Sequence, residues 1–224
     1  MNLQKRSLLE KEVDALNRTI QQMSHLVEEA TDQATQALLE RDGELAHQII
    51  AHDAQVNDLR YQVEKLALQA IATQQPMAGD LRAILAAVYV ALELERIGDH
   101  AVNIARLVLR VAADGPFTSL YKLPAMAQRA RDMVHEAVMA FLQRDENLAR
   151  LVMADDDRID VRYAELIQET LHDMRDDEYI PRATTLLLVG QNLERIGDRA
   201  TNIAERTIFA RSGVVEETPS EPYP

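Results

Sequence analysis

The chain has 224 residues, 47% of them apolar, which excludes disorder and is enough for a real hydrophobic core. Its 24 basic and 37 acidic residues give a net charge of −13, which disfavours nucleic-acid binding and suits a protein that attracts cations. Cysteine is absent, so disulfides, thiolate ligands and cysteine nucleophiles are excluded together.

Gly and Pro number only seven each, and the long stretches between them are rich in Ala, Leu, Glu, Gln and Arg, which predicts long helices and no sheet. The first runs from about Ser7 to Arg41, with Leu9, Val13, Leu16, Ile20, Met23 and Val27 at steps of three and four. Asp42-Gly43 breaks it. A second helix is expected from Glu44 to Gln74, stopped by Pro76, and a third from Met77 to Ala112, ended by Asp114-Gly115-Pro116. The order then repeats: Ala125–Arg144, a break at Asp145-Glu146-Asn147, Leu148–Met174, and Arg182–Arg211. The tail after Arg211 reads as disordered. The longest apolar run, Ala83–Leu92, has ten residues, about half of the ~20 a membrane helix needs, so no insertion is expected. The charged N-terminus has no apolar signal core, which makes the cytoplasm the expected location.

An internal duplication is visible residue by residue. Arg41–Ala46 (RDGELA) matches Arg144–Ala149 (RDENLA) at an offset of 103. Glu95–Arg106 (ERIGDHAVNIAR) matches Glu194–Glu205 (ERIGDRATNIAE) at an offset of 99, with nine of twelve positions identical. The offset falls by four, about one helical turn, lost around the second turn region of the second copy. The expected fold is all-α: six helices as two tandem three-helix bundles, the first spanning 1–114 and the second 122–211, followed by the tail 212–224.

The third and sixth helices carry carboxylates on what reads as the line of their core stripes. Leu81, Leu85, Val88 and Leu92 lead to Glu95, Asp99 and Val102; Leu187 and Gln191 lead to Glu194 and Asp198. Asn103 and Asn202 extend each row by a turn. On the second helix Asp53 and Asn57 share a stripe with Ile50, Tyr61 and Leu68, and at offset 103 they become Asp156 and Asp160, beside Met153 and Leu171. Acidic groups at i and i+4 repel one another when desolvated. Protonation, a basic partner or a bound cation relieves that, and two such pairs on facing helices make an all-oxygen site for hard or borderline cations. Arg96 and Arg195 are expected to pair with other helices, Gly98 and Gly197 to permit close helix approach, and His100 to lie at the surface.

The duplicated Glu-Arg-Ile-Gly-Asp…Asn-Ile motif, together with Gln75-Pro76-Met77-Ala78-Gly79-Asp80-Leu81-Arg82, resembles the PhoU family over essentially the whole chain except the tail. The resemblance implies a regulatory protein, not an enzyme, acting between the ATPase of the phosphate ABC transporter and the phosphate-sensing histidine kinase, as a negative regulator of the phosphate regulon. It also implies a homodimer and bound metal cations: iron, zinc, manganese or magnesium. The implied ligands are Asp53, Asn57, Glu95 and Asp99 in the first copy and Asp156, Asp160, Glu194 and Asp198 in the second, with Asn103 and Asn202 adjoining. Asn57 is neutral where the second copy has Asp160, so the first site is expected to be weaker. Two other readings stand beside this one. A metal-free helical scaffold would pair its acidic rows with Arg. A di-metal carboxylate enzyme would need Glu-x-x-His pairs, but Gly98 and Gly197 hold the place of the His.

Overall fold

The computed structural model of the chain describes residues 3–111, 120, 122–175, 177 and 179–214. The expected break at Asp114-Gly115-Pro116 and the tail from Val215 onward lie outside the described residues. Six helices follow in order: α1 (Leu3–Glu40), α2 (Gly43–Gln74), α3 (Gly79–Val111), α4 (Leu123–Gln143), α5 (Glu146–Asp173) and α6 (Ile180–Ser212). Among the described residues there is no strand, and no helix is long and apolar enough to cross a membrane.

The duplication shows in the turns. Arg41 and Arg144, equivalent at offset 103, both end their helices in the left-handed conformation, with φ of 56° and 55°. The next amide closes each turn on an alanine carbonyl, Asp42 on Ala37 at 3.0 Å and Asp145 on Ala140 at 2.9 Å. Each aspartate then accepts an amide of the following helix, Asp42 from Leu45 and Asp145 from Asn147 and Leu148. Gly43, expected in the break, therefore opens α2. α2 has 32 residues and α5 has 28, so the missing turn was removed from the helix itself and not from its connection.

Each three-helix unit is a bundle, and α3 and α6 join the two. They run antiparallel along their whole length: Tyr89 meets Arg206, Glu93 meets Arg199, His100 meets Asn192, and Arg82 reaches the carbonyls of Ala210 and Arg211. α1 and α4 close the inner layer. α2 packs on α1 and α3, and α5 on α4 and α6.

Because α3 has neighbours on several sides, it is buried over most of its circumference. One buried line runs Ile84, Ala87, Ala91, Leu94, Gly98, Ala101, Ala105 and Val108. The line read from sequence as the core stripe, from Leu81 through Leu85 to Asp99, is that line moved on by one residue, or about 100° around the helix. It is the rim, and Leu85 is 51% exposed. The corresponding line on α2 is also peripheral, with Tyr61 and Leu68 exposed; the true core of α2 is Ile49, Val56, Val63 and Ala67.

The seam between the units carries a charge that sequence reading missed. Glu93 of α3 is fully buried. Its carboxylate accepts from Arg96 at 3.0 Å on its own helix, and from Arg199 at 3.4 Å and Asn202 at 3.2 Å on α6. At offset 99, Glu93 and Arg199 become Asn192 and His100, and these meet at 3.0 Å. The Glu93–Arg199 ion pair thus has the His100–Asn192 hydrogen bond as its counterpart, whereas Arg195, the equivalent of Arg96, turns to Glu194 and Asp198 instead. Leaving Arg199 and Arg96 facing an uncharged group is costly. Glu93→Gln is expected to lower unfolding free energy by about 3 kcal/mol, read as a shift in urea midpoint with an unchanged slope. Asn192→Ala should cost about 1 kcal/mol.

Candidate functional site

On either side of the α3–α6 seam lies an acidic groove, one between α2 and α3 and one between α5 and α6. In both, a glycine of the inner helix faces an aspartate of the outer one. A Cβ built on Gly98 would stand 3.5 Å from Asp53 Oδ1, and one on Gly197 would stand 3.5 Å from Asp156 Oδ1. Gly98 thus has ordinary room for a methyl group, whereas Gly197 would press on Ile159 Cδ1 at 3.0 Å. The tightest helix approach is elsewhere, at Gly190, where the same carbon would meet Leu166 Cδ2 at 2.4 Å.

The first groove brings together Asp53, Asn57, Glu95 and Asp99. Asn57 donates its amide to Asp53 Oδ2 at 3.1 Å, so a neutral side chain already occupies one carboxylate oxygen. Burial, then the Asp99 charge, raises the pKa of Asp53 and of Glu95. Asp99 itself is exposed. Asn103 has its side-chain oxygen on Arg106 at 3.2 Å.

The second groove is deeper and more strained electrostatically. Desolvation, followed by the charges of Asp198 and Asp160, pushes Asp156 up to about 7. Desolvation and Asp198 likewise push Glu194 up to about 7. Asp160 and Asp198 are raised by burial as well, with Arg195 opposing the rise at both. Glu194 Oε2 is buried and accepts no hydrogen bond, although Arg195 Nε stands 3.4 Å away. Thr201, which replaces Val102 of the first copy, has a buried hydroxyl with no partner at bonding geometry, and it lies close enough to Asp156 to ease that carboxyl's rise. Asn202 is turned out of the row toward Glu93.

The arginines of the two motifs are both ion-pair partners, each bonded on its own helix, but they behave differently. Arg96 binds Glu93 on its own helix, outside the groove. Arg195 lies over its own groove, pairing with Glu194 and with Asp198 Oδ2 at 3.1 Å. His100, expected at the surface, is half-buried on Asn192, and burial pushes its pKa down.

The donor chemistry in the second groove fits a cation: four carboxyl groups, one of them with an orphaned buried oxygen, and a hydroxyl, all hard oxygen donors. As the side chains stand, no three carboxylates or histidines among the described residues converge on one ion, so a cation there must draw them inward and displace Arg195.

The family profile described as the PhoU domain matches residues 20–108 and again 123–207. The chain is 35% identical over 209 residues to the phosphate-specific transport system accessory protein PhoU homolog of Rhizobium meliloti, covering 92% of this chain and 88% of that one. It is also 35% identical over 206 residues to the homolog of the same description from Aquifex aeolicus, at 92% and 93% coverage. The crystal structure of PhoU from Pseudomonas aeruginosa superposes with a TM-score of 0.87 at 31% identity, over 92% of this chain and 99% of that one. The phosphate transport system regulatory protein PhoU from Streptococcus pneumoniae gives 0.87 at 28% identity, over 94% of this chain and 100% of that one.

The raised carboxyls fix a pH dependence. Unfolded, Asp156 and Glu194 lose their protons near their ordinary values of 3.8 and 4.5; folded, they hold them to about 7. Their favourable contribution is complete below the unfolded values and is lost as pH rises through the folded ones. Chelator-treated protein should therefore melt progressively lower from about pH 4 to about pH 7 and level off above. Asp156→Asn should flatten that slope and raise the melting temperature at the alkaline end.

Proposed function

Because this chain belongs to the PhoU family, we propose that it regulates phosphate uptake and phosphate-starvation signalling as an accessory protein of the phosphate-specific transport system. The observation that carries this reading is the double match of the PhoU domain, in register with the two copies of the Glu-Arg-Ile-Gly-Asp motif. In this reading the chain acts from the cytoplasm by contact with the transporter's ATPase and with a phosphate-sensing histidine kinase. It keeps starvation genes silent when phosphate is plentiful. It works as a homodimer and is not an enzyme. The absence of a membrane-spanning helix among the described residues fits an adaptor that docks on other proteins. So does a surface whose charge favours cationic partner faces.

The same reading places metal cations in the two grooves, held by Asp53, Asn57, Glu95 and Asp99 and by Asp156, Asp160, Glu194 and Asp198. The support is the orphaned oxygen of Glu194 and the repulsion around it, which Arg195 only partly offsets. A cation would offset the burial and the repulsion that together keep Asp156 and Glu194 protonated up to about pH 7, and Thr201 would orient Asp156 toward it. Asn103 and Asn202 are outlying members of the set, since one is held by Arg106 and the other by Glu93. The second groove is the stronger site, with four carboxyls where the first has three and an amide.

Two experiments test the reading separately. Deleting the gene should derepress phosphate-starvation genes in phosphate-rich medium, and the wild-type gene should restore repression; unchanged repression in a strain with no second copy would refute the regulatory role. For the grooves, metal content is measured by elemental analysis of protein purified without chelator. Asp160→Asn combined with Asp198→Asn should remove the ion of the second groove and the response of the melting temperature to added metal. Metal at a hundredfold excess over its Kd is expected to stabilise the wild type by about 2.7 kcal/mol. Asp99→Asn should have the smaller effect.

A further inference from the structure

Away from both grooves, a cavity of ≈ 180 Å³ opens at the end of the molecule where α1 and α3 of the first unit meet α6 and the α4–α5 turn of the second. Its walls are apolar, built from Leu16, Ile84, Ala87, Phe141 and Ala210. The void is not imposed by the fold. At offset 99, Ala87 becomes Leu186, and Ala210 answers to Val111; these larger side chains stand at the equivalent positions of the other copy. Two exchanges run the other way, Ile84 against Ala183 and, at offset 103, Phe141 against Leu38.

The polar groups at the cavity are donors, and two are unengaged. Among the described residues no partner exists for the guanidinium of Arg144 or for the side-chain amide of Asn17, and both residues line the space. Arg144 is exposed, but its backbone is held in place. Its backbone sits in the left-handed turn closing α4, and Arg211 of α6 fastens that turn by donating to the Arg144 carbonyl at 3.4 Å and pairing with Glu146 at 3.1 Å. Arg211 lines the cavity as well, and Arg82 binds the carbonyls of Ala210 and Arg211 beside it. Three guanidiniums thus gather at one end of a chain whose net charge is −13.

We propose that this cavity binds a small organic anion, an apolar body about the size of one aromatic ring carrying a carboxylate or phosphate head. The size follows from the volume, since an apolar cavity of about 150 Å³ accommodates benzene. Inorganic phosphate alone would leave the apolar walls unfilled. The head group follows from Arg144, whose planar fork suits carboxylate and phosphate alike. Asn17 supplies a second donor from α1. The site bridges both units, so its occupant would favour the α3–α6 arrangement described above.

Calorimetric titration and thermal melting of the full chain, with benzoate, phenyl phosphate, inorganic phosphate and benzyl alcohol as probes, test this. At least one of the two aromatic anions should bind and raise the melting temperature, and which one does so identifies the head. Ala87→Leu, which installs the side chain of the other copy, should abolish binding; Ala210→Val serves if that variant does not fold. Arg144→Gln should weaken the anion about tenfold while leaving benzyl alcohol unchanged. Absence of binding by both aromatic anions, undiminished binding in the filled variant, or equal binding of benzyl alcohol and benzoate would each overturn the proposal. Displacement of the aromatic anion by inorganic phosphate at equal concentration would also overturn it, because the apolar body would then contribute nothing.

Discussion

A single buried carboxylate sets the geometry on which the rest of this molecule depends. Glu93 faces α6 from the middle of α3 and draws Arg199 and Asn202 to it. Burying an ion pair is a poor source of stability, because desolvation consumes most of the attraction, but breaking one is expensive. Such a contact selects among registers. If α6 slid by one turn along α3, the carboxylate would lose Arg199 and Asn202 and keep only Arg96 of its own helix. The neutral pair His100–Asn192 occupies the pseudo-equivalent place and sets no comparable demand. Two apolar faces rich in Ala could pack in several ways, and one charge removes the alternatives.

That register also places the two acidic grooves on opposite flanks of one seam. The grooves lie on the rim and not in the core, which suits a site that exchanges an ion. At the rim, burial is deep enough to raise carboxyl pKa values yet shallow enough for Asp99 and Asp160 to reach solvent. The arginine in each motif then makes the grooves unlike. Arg96 is diverted to Glu93, so Glu95 draws more compensation from Arg60 of α2 than from its own motif. Arg195 stays over the second groove as an internal counter-ion on Glu194 and Asp198. The second groove therefore has more negative donors and also a resident cation that any ion must displace.

The fold was legible because the duplication prints its own evidence: identical motif residues, matching turns, and a four-residue change of offset that keeps helix faces aligned. The grouping of Asp53 with Glu95 and Asp99, and of Asp156 and Asp160 with Glu194 and Asp198, was legible for the same reason. What misled was assigning one stripe to α3. Leu81, Leu85, Val88 and Leu92 repeat as a core line should, but a helix with neighbours on several sides has a second buried line one step away, and spacing alone does not rank the two. Glu93 was hidden twice over. It sits in the charged run Glu93-Leu94-Glu95-Arg96, which reads as a wet face, and comparison of the copies pairs it with Asn192, which suggests indifference. Its spacing from Ala86, Val90, Ile97 and Ile104 was the available signal.

Against the largely identical motifs of the two copies, a few exchanges stand out at the seam and in the grooves. Asn57 answers Asp160, Val102 answers Thr201, Glu93 answers Asn192, His100 answers Arg199, and Ala87 answers Leu186. Drift confined to fitness-neutral surface would scatter over exposed positions. These exchanges instead sit where charge is buried, where a hydroxyl meets a carboxyl, or where a cavity opens between the units. Asp160 gives the second groove an extra carboxyl and Thr201 a hydroxyl, while Glu93 gives the first unit the buried anion. A symmetric pair of bundles would present the same face twice to its surroundings. This one offers two grooves of unequal charge fixed to a single seam.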